Sequence, residues 1–239
     1  MEFHHYLAMT PGEMHIFSKP ERLCWMACHF SADGTGLQDL PKALPAGSML
    51  ILNDRFPMEA HDSEKIALEL SGCARDLRCS GILLDFERPW NEKTAGLVRR
   101  IRKASALPLA VSEQYANGLD CAVFLSPIPP DKTPQACLRP WRNQEVWLET
   151  ALQGLQLELT GSGCTRAPLP PGKIPRDGFS DKRLHCHYRM EVSEGAAVFS
   201  LWRTLEDLDA LLTEARALGV RTAVGLYQEL VLQQPASAV

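Results

Sequence analysis

No apolar run in the 239-residue chain approaches the ~20 residues that carry a helix across a bilayer, so no membrane partner is expected. Excess positive charge is also missing. The 25 Lys and Arg stand against 29 Asp and Glu, for a net charge of −4, which gives no reason to expect nucleic acid or an anionic membrane as partner. Residues 1–14 lack a basic head followed by an apolar core, so no secretory leader is expected and the reading is cytoplasmic. Eight cysteines are present but no C-x-x-C pair. Cys24, Cys28, Cys121 and Cys186 fall within strand-like runs, where a free thiol serves as a small buried hydrophobe, and reduced thiols are expected rather than disulfides. His185-Cys186-His187 comes nearest to a metal motif. Along a strand its two histidines share one face while the thiol takes the other, so no metal site is expected. Gly-x-Gly-x-x-Gly, Walker and Gly-x-Ser-x-Gly patterns are absent as well, which sets dinucleotide and nucleotide chemistry aside and leaves no cofactor implied.

What is present is ordinary core-forming material, 45% apolar and 23% charged. Short, continuously apolar runs occur at 22–30, 48–53, 80–86, 107–111, 121–125, 145–152, 196–202 and 222–227, with 3–9 and 155–160 as further candidates. Continuous rather than alternating runs suit parallel strands covered on both faces. Helical spacing separates several of them. Ile66, Leu70, Cys73 and Leu77 share a face, Asn91 is placed to cap a helix carrying Thr94, Leu97, Val98 and Ile101, and Thr204 with Asp207 resembles a capping box opening a Leu-rich helix that stops at Gly219. Strand and helix in alternation predict a (β/α)8 barrel spanning 1–239 as one domain, preferred over a doubly wound open sheet. The C-terminal half breaks the rhythm, with a hairpin expected at Gln153-Gly154 and a Pro/Gly-rich excursion, together covering about 145–180.

The segment Ser80-Gly81-Ile82-Leu83-Leu84-Asp85-Phe86-Glu87 concentrates the functional signal. Strand side chains alternate faces, so Asp85 and Glu87 point the same way, ~6.6 Å apart along the strand. Packing disfavours two acids at the exit of a buried strand, and in (β/α)8 enzymes that exit is where the site lies. Other strand ends contribute Asp54, Glu113, Trp202, Arg203 and Tyr227. This ring of acids, an arginine and aromatics suits a carbohydrate or another small polar ligand, aromatic faces meeting C–H surfaces and acids meeting hydroxyls. His29, at another strand end, is read chiefly as a structural residue.

Ser80–Glu87 resembles the signature of glycoside hydrolase family 18, the chitinase-like barrels: Asp-Gly-apolar-Asp-x-Asp-x-Glu. Gly81, Ile82, Asp85, Phe86 and Glu87 agree, while Ser80 and Leu83 replace two aspartates. The resemblance implies that Glu87 is the general acid/base and Asp85 the helper that positions the substrate's N-acetyl group as nucleophile. It also implies that this segment is the fourth barrel strand, as follows if 3–9 is the first. The family's Tyr-Asp pair on a later strand has Ser126-Pro127 in its place. Three functions stay open: a glycosidase-like hydrolase acting on N-acetylhexosamine-containing glycans; a barrel that binds glycan or protein without turnover; and an unrelated cytosolic barrel enzyme using Glu87 and Glu113 on a small metabolite. Glu87 as a plain solvated loop residue remains the alternative to all three.

Overall fold

The computed structural model describes residues 2–14, 22–58 and 61–231. The chain opens with strands β1 (His4–Met9), β2 (Leu23–Phe30), a two-residue β3 (Leu37–Gln38) and β4 (Met49–Asn53). From there strand and helix alternate: α1 (Ser63–Asp76), β5 (Gly81–Asp85), α2 (Glu92–Ala104), β6 (Leu109–Ser112), α3 (Glu113–Ala116), β7 (Ala122–Leu125), α4 (Pro134–Leu138) and β8 (Val146–Thr150). Five strands follow, β9 (Gly154–Thr160), β10 (Gly163–Pro168), β11 (Phe179–Asp181), β12 (Cys186–Ser193) and β13 (Ala196–Trp202), before α5 (Leu205–Ala217), β14 (Thr222–Leu226) and α6 (Tyr227–Leu230).

Eight parallel strands run in the order β1-β14-β8-β7-β6-β5-β4-β2, and β2 pairs back to β1 through Leu7↔Leu23 and Met9↔Trp25. The ring is closed: this is a (β/α)8 barrel. β5, which carries the acidic segment, is its fourth strand in chain order. Alternate side chains fill the interior, among them Tyr6, Met49, Ile51, Leu83, Phe124, Trp147 and Val224, each buried side chain of this size stabilising by roughly 1.5–3 kcal/mol. Trp147 is 2% exposed and reaches across the bottom of the ring. A Cβ on Gly81 would lie 2.9 Å from its ring, so glycine is what lets β5 face that indole.

The helices bury the expected faces. Asp62 caps α1 and Asn91 caps α2, each side chain accepting a hydrogen bond from a first-turn amide. α5 carries the full capping box between Thr204 and Asp207. Val220 and Gly219 close its end, Gly219 at φ +106.

The structure departs from the sequence reading in the C-terminal half. Ala196–Trp202 is a strand over the expected span but not a barrel strand; it pairs antiparallel with β9 and β12. β9 to β13 form a separate antiparallel sheet, ordered β10-β9-β13-β12-β11, inserted between β8 and α5. The expected hairpin at Gln153-Gly154 is instead the crossing from barrel to inserted sheet. The true hairpin joins β9 to β10, with Thr160 opposite Gly163. Periodicity cannot separate these cases, because a central strand of an antiparallel sheet and a buried parallel strand can share the same apolar composition.

Candidate active site

β5 delivers Asp85 at its carboxyl end, half-buried above the fully buried Leu83, and the chain then leaves the barrel through Phe86 and Glu87. Glu87 is exposed. The loop that carries it is nonetheless fixed on both sides. Asp54, at the end of β4, accepts the amide of Glu87 through Oδ1 and that of Arg88 through Oδ2, both at 2.9 Å. Arg88 Nε donates to the Asp54 carbonyl at 2.8 Å. From the other flank, Gln114 Nε2 donates to the carbonyls of Phe86 and Arg88, and Ser112 Oγ accepts the Phe86 amide at 2.8 Å. Phe86 itself is buried and packs edge-on to Tyr115. Charge-assisted bonds to backbone amides are among the stronger ones available, so Glu87 projects from a rigid mount.

Asp85, Glu87 and Glu113 line one cleft of about 330 Å³ together with Ser126 and Glu149. A neighbouring hollow of about 540 Å³ continues past Asp85 and Glu87 to Asn53, Asp54 and Arg55. The sequence reading missed Glu149, which sits on the inward face of β8 two residues beyond Trp147. The signal was available: Glu145, Trp147 and Glu149 share one face of a short strand, and an acid in register with a core tryptophan points inward. Burial is the main cause that pushes Asp85 up to about 6, with the charges of Glu87 and Asp54 adding to it. Burial likewise pushes Glu149 up to about 7, followed by the charges of Asp85, Glu87 and Glu229.

The remaining sequence candidates lie elsewhere or are already engaged. Asp54 borders the mouth with both carboxylate oxygens bonded to backbone amides. Tyr227 is 5% exposed and packs into the main core. Trp202 ends an inserted-sheet strand and stacks on His187 at 5.9 Å between ring centroids. Arg203 is 4% exposed and donates to the carbonyls of Ile128, Pro129, Leu184 and His185; it staples the inserted sheet to the β7–α4 loop. His29 donates through Nδ1 to the Ala27 carbonyl, 2.8 Å away. His185 and His187 approach Glu214 and Asp207 of α5 at 2.5 and 2.8 Å, and no group of metal-ligating side chains gathers among the described residues. Among those residues no helix is long and apolar enough to cross a membrane.

A closed parallel barrel with converging acids at its carboxyl rim defines the class of (β/α)8 proteins with a site at the strand ends. No protein-family model matches the sequence, and no curated protein resembles it significantly. Solved structures do resemble it. A glycoside hydrolase family 18 N-acetylglucosaminidase from Paenibacillus barengoltzii aligns over 96% of this chain and 98% of its own, at 10% identity and a TM-score of 0.59. The spore cortex-lytic enzyme SleL of Bacillus cereus aligns over 94% of this chain and 70% of its own (11% identity, TM-score 0.58). A class V chitinase mutant from Cycas revoluta, solved with (GlcNAc)3, aligns over 92% and 94% (11%, 0.58). The chain therefore shares the (β/α)8 fold of these enzymes, and identities this low make the likeness one of fold. The resemblance first visible in eight residues extends to the architecture of the whole chain.

Proposed function

We propose that this chain is a glycoside hydrolase acting on glycans that contain N-acetylhexosamine, with Glu87 as general acid/base and Asp85 as its helper. The observation that carries the reading is the shared cleft: Asp85 and Glu87 open onto one space at the carboxyl end of the fourth barrel strand. Glu87, on its fixed loop, would protonate the leaving oxygen. Asp85 would accept the N–H of the acetamido group while that group's carbonyl oxygen attacks the anomeric carbon, and Glu87 would then deprotonate the incoming water. The solved structures of similar fold support the substrate class, since their names include an N-acetylglucosaminidase and a chitinase bound to (GlcNAc)3. Trp90, 55% exposed on the same loop, supplies an aromatic face of the kind sugars stack on.

One observation favours a second reading, glycan binding without turnover. Leu83 sits fully buried beneath Asp85 and removes an acid there, and Ser126 lines the cleft where the resembled family has a tyrosine. A third, in which Glu87 and Glu113 act as an acid and base pair on a small metabolite, is supported by their common cleft. A panel of fluorogenic N-acetylhexosaminides run on wild type and Glu87→Gln separates the three. Turnover lost in Glu87→Gln supports the first, glycan binding with no turnover selects the second, and turnover that survives the substitution removes Glu87 from the acid role.

A further inference from the structure

Asp85 and Glu149, from the fourth and seventh strands of the barrel, line one small, partly open space of about 70 Å³ at the base of the mouth. Such a space holds about two waters. Its floor is apolar: Ile51, Leu83, Phe124 and Val224. The other polar side chain on its wall, Asn53, gives its amide to the Met26 carbonyl at 3.3 Å. Charged neighbours are acidic on both flanks, Asp54 and Glu87 beside Asp85, and Glu229 with Glu87 around Glu149. Glu113 joins them in the cleft above. Arg55 and Arg88 border the adjoining hollow, but Arg88 gives its donors to the carbonyls of Asp54 and Arg55. His5 is engaged with Thr150 Oγ1 at 3.0 Å. Among the described residues no Lys, Arg or His pairs with either carboxyl.

Two carboxylates that share a small, apolar-floored space without a cation resist ionising together, so they titrate as a pair that holds one proton over part of the range. Aspartate is the stronger acid of the two, and Asp85 also borders the adjoining hollow beside Glu87. We propose that Glu149 is the positioning residue of this site: it keeps the pair's proton and offers it across the shared space to Asp85, leaving Asp85 an acceptor for the substrate's N–H. The ordering of the two raised carboxyls, Glu149 above Asp85, agrees with that division. The inference rests on the reading of Asp85 as helper, whose partner then lies on the seventh strand of the barrel rather than beneath it, where Leu83 stands.

Two substitutions test it. Glu149→Gln keeps a donor but cannot ionise; Glu149→Leu offers neither. The expected kcat falls roughly 10- to 100-fold in Glu149→Leu, the loss of one buried charge-assisted bond, while Glu149→Gln recovers most of that loss and abolishes the decline of activity above about pH 7. Glu149→Gln as inactive as Glu149→Leu at every pH overturns the proposal. A second readout does not depend on turnover: carboxyl 13C titration should show two coupled steps in wild type, one step for Asp85 in Glu149→Gln, and a higher Asp85 value in Glu149→Leu. Asp85 titrating identically in all three proteins contradicts the pairing. Wild type that hydrolyses no N-acetylhexosaminide would instead end the functional reading, with the titration still deciding the role of Glu149.

Discussion

Asp54 contributes to the site through geometry rather than contact. Its two carboxylate oxygens hold consecutive backbone amides of the loop that presents Glu87, so truncation would leave two amides seeking water and release the loop. Asp54→Ala is expected to lower unfolding free energy by roughly 2–3 kcal/mol, within the range for hydrogen bonds to a charged group, as read by denaturant unfolding. Asp54→Asn, which keeps one acceptor, should cost less. A second residue-scale expectation concerns pH. Asp85 rises from 3.8 to about 6 and Glu149 from 4.5 to about 7 on folding. The folded chain therefore holds protons that the unfolded chain has already released, and these groups contribute stability at acid pH that is lost as pH rises through about 4 to 7. The double variant Asp85→Asn, Glu149→Gln removes that loss, so its melting temperature relative to wild type should climb across the same window. A difference that stays flat with pH would refute the buried, protonated state of these groups.

At the scale of elements, the sequence disclosed what periodicity and capping encode and hid what topology decides. The helix face at Ile66 and Leu70, the Asn91 cap and the Thr204–Asp207 capping box all appear where the local pattern put them, because each is settled within a few residues. The fate of Ala196–Trp202 is not local. Its apolar run fits a barrel strand, yet it pairs with β9 and β12, and partner choice between distant strands leaves no mark on a single strand's composition. The same limit explains Trp202 and Arg203, chosen as strand-end residues of the wrong sheet. Arg203 turns out to bind four carbonyls from two loops while 4% exposed, and burial holds its guanidinium below its usual range, at about 10. Arg203→Met should fill most of the volume and still strand those carbonyls, costing roughly 3–5 kcal/mol as for other broken buried charge networks. Thermal unfolding checks it, and a loss under 1 kcal/mol would mean that the inserted sheet is held in place without the staple.

At the scale of the whole molecule, closure of the barrel is what turns separate strand ends into a site. The barrel brings Asp85 from β5, Glu113 from the start of α3 and Glu149 from β8 to one cleft, although 64 residues of sequence separate Asp85 from Glu149. Asp85 and Glu87 were legible because they lie two residues apart at the exit of one strand; Glu149 became legible once the ring closed. The fold resembles those of solved chitinase-type enzymes over nearly the full chain, while Ser80–Glu87 matches two of the four acids in the motif it resembles. What remains of that motif has to suffice for chemistry if the proposed function holds. Steady-state hydrolysis of a fluorogenic N-acetylhexosaminide by wild type and by Glu87→Gln addresses this most directly. The account predicts measurable wild-type turnover that falls at least about 100-fold in Glu87→Gln, the usual contribution of a general acid; equal turnover by the two proteins would contradict it.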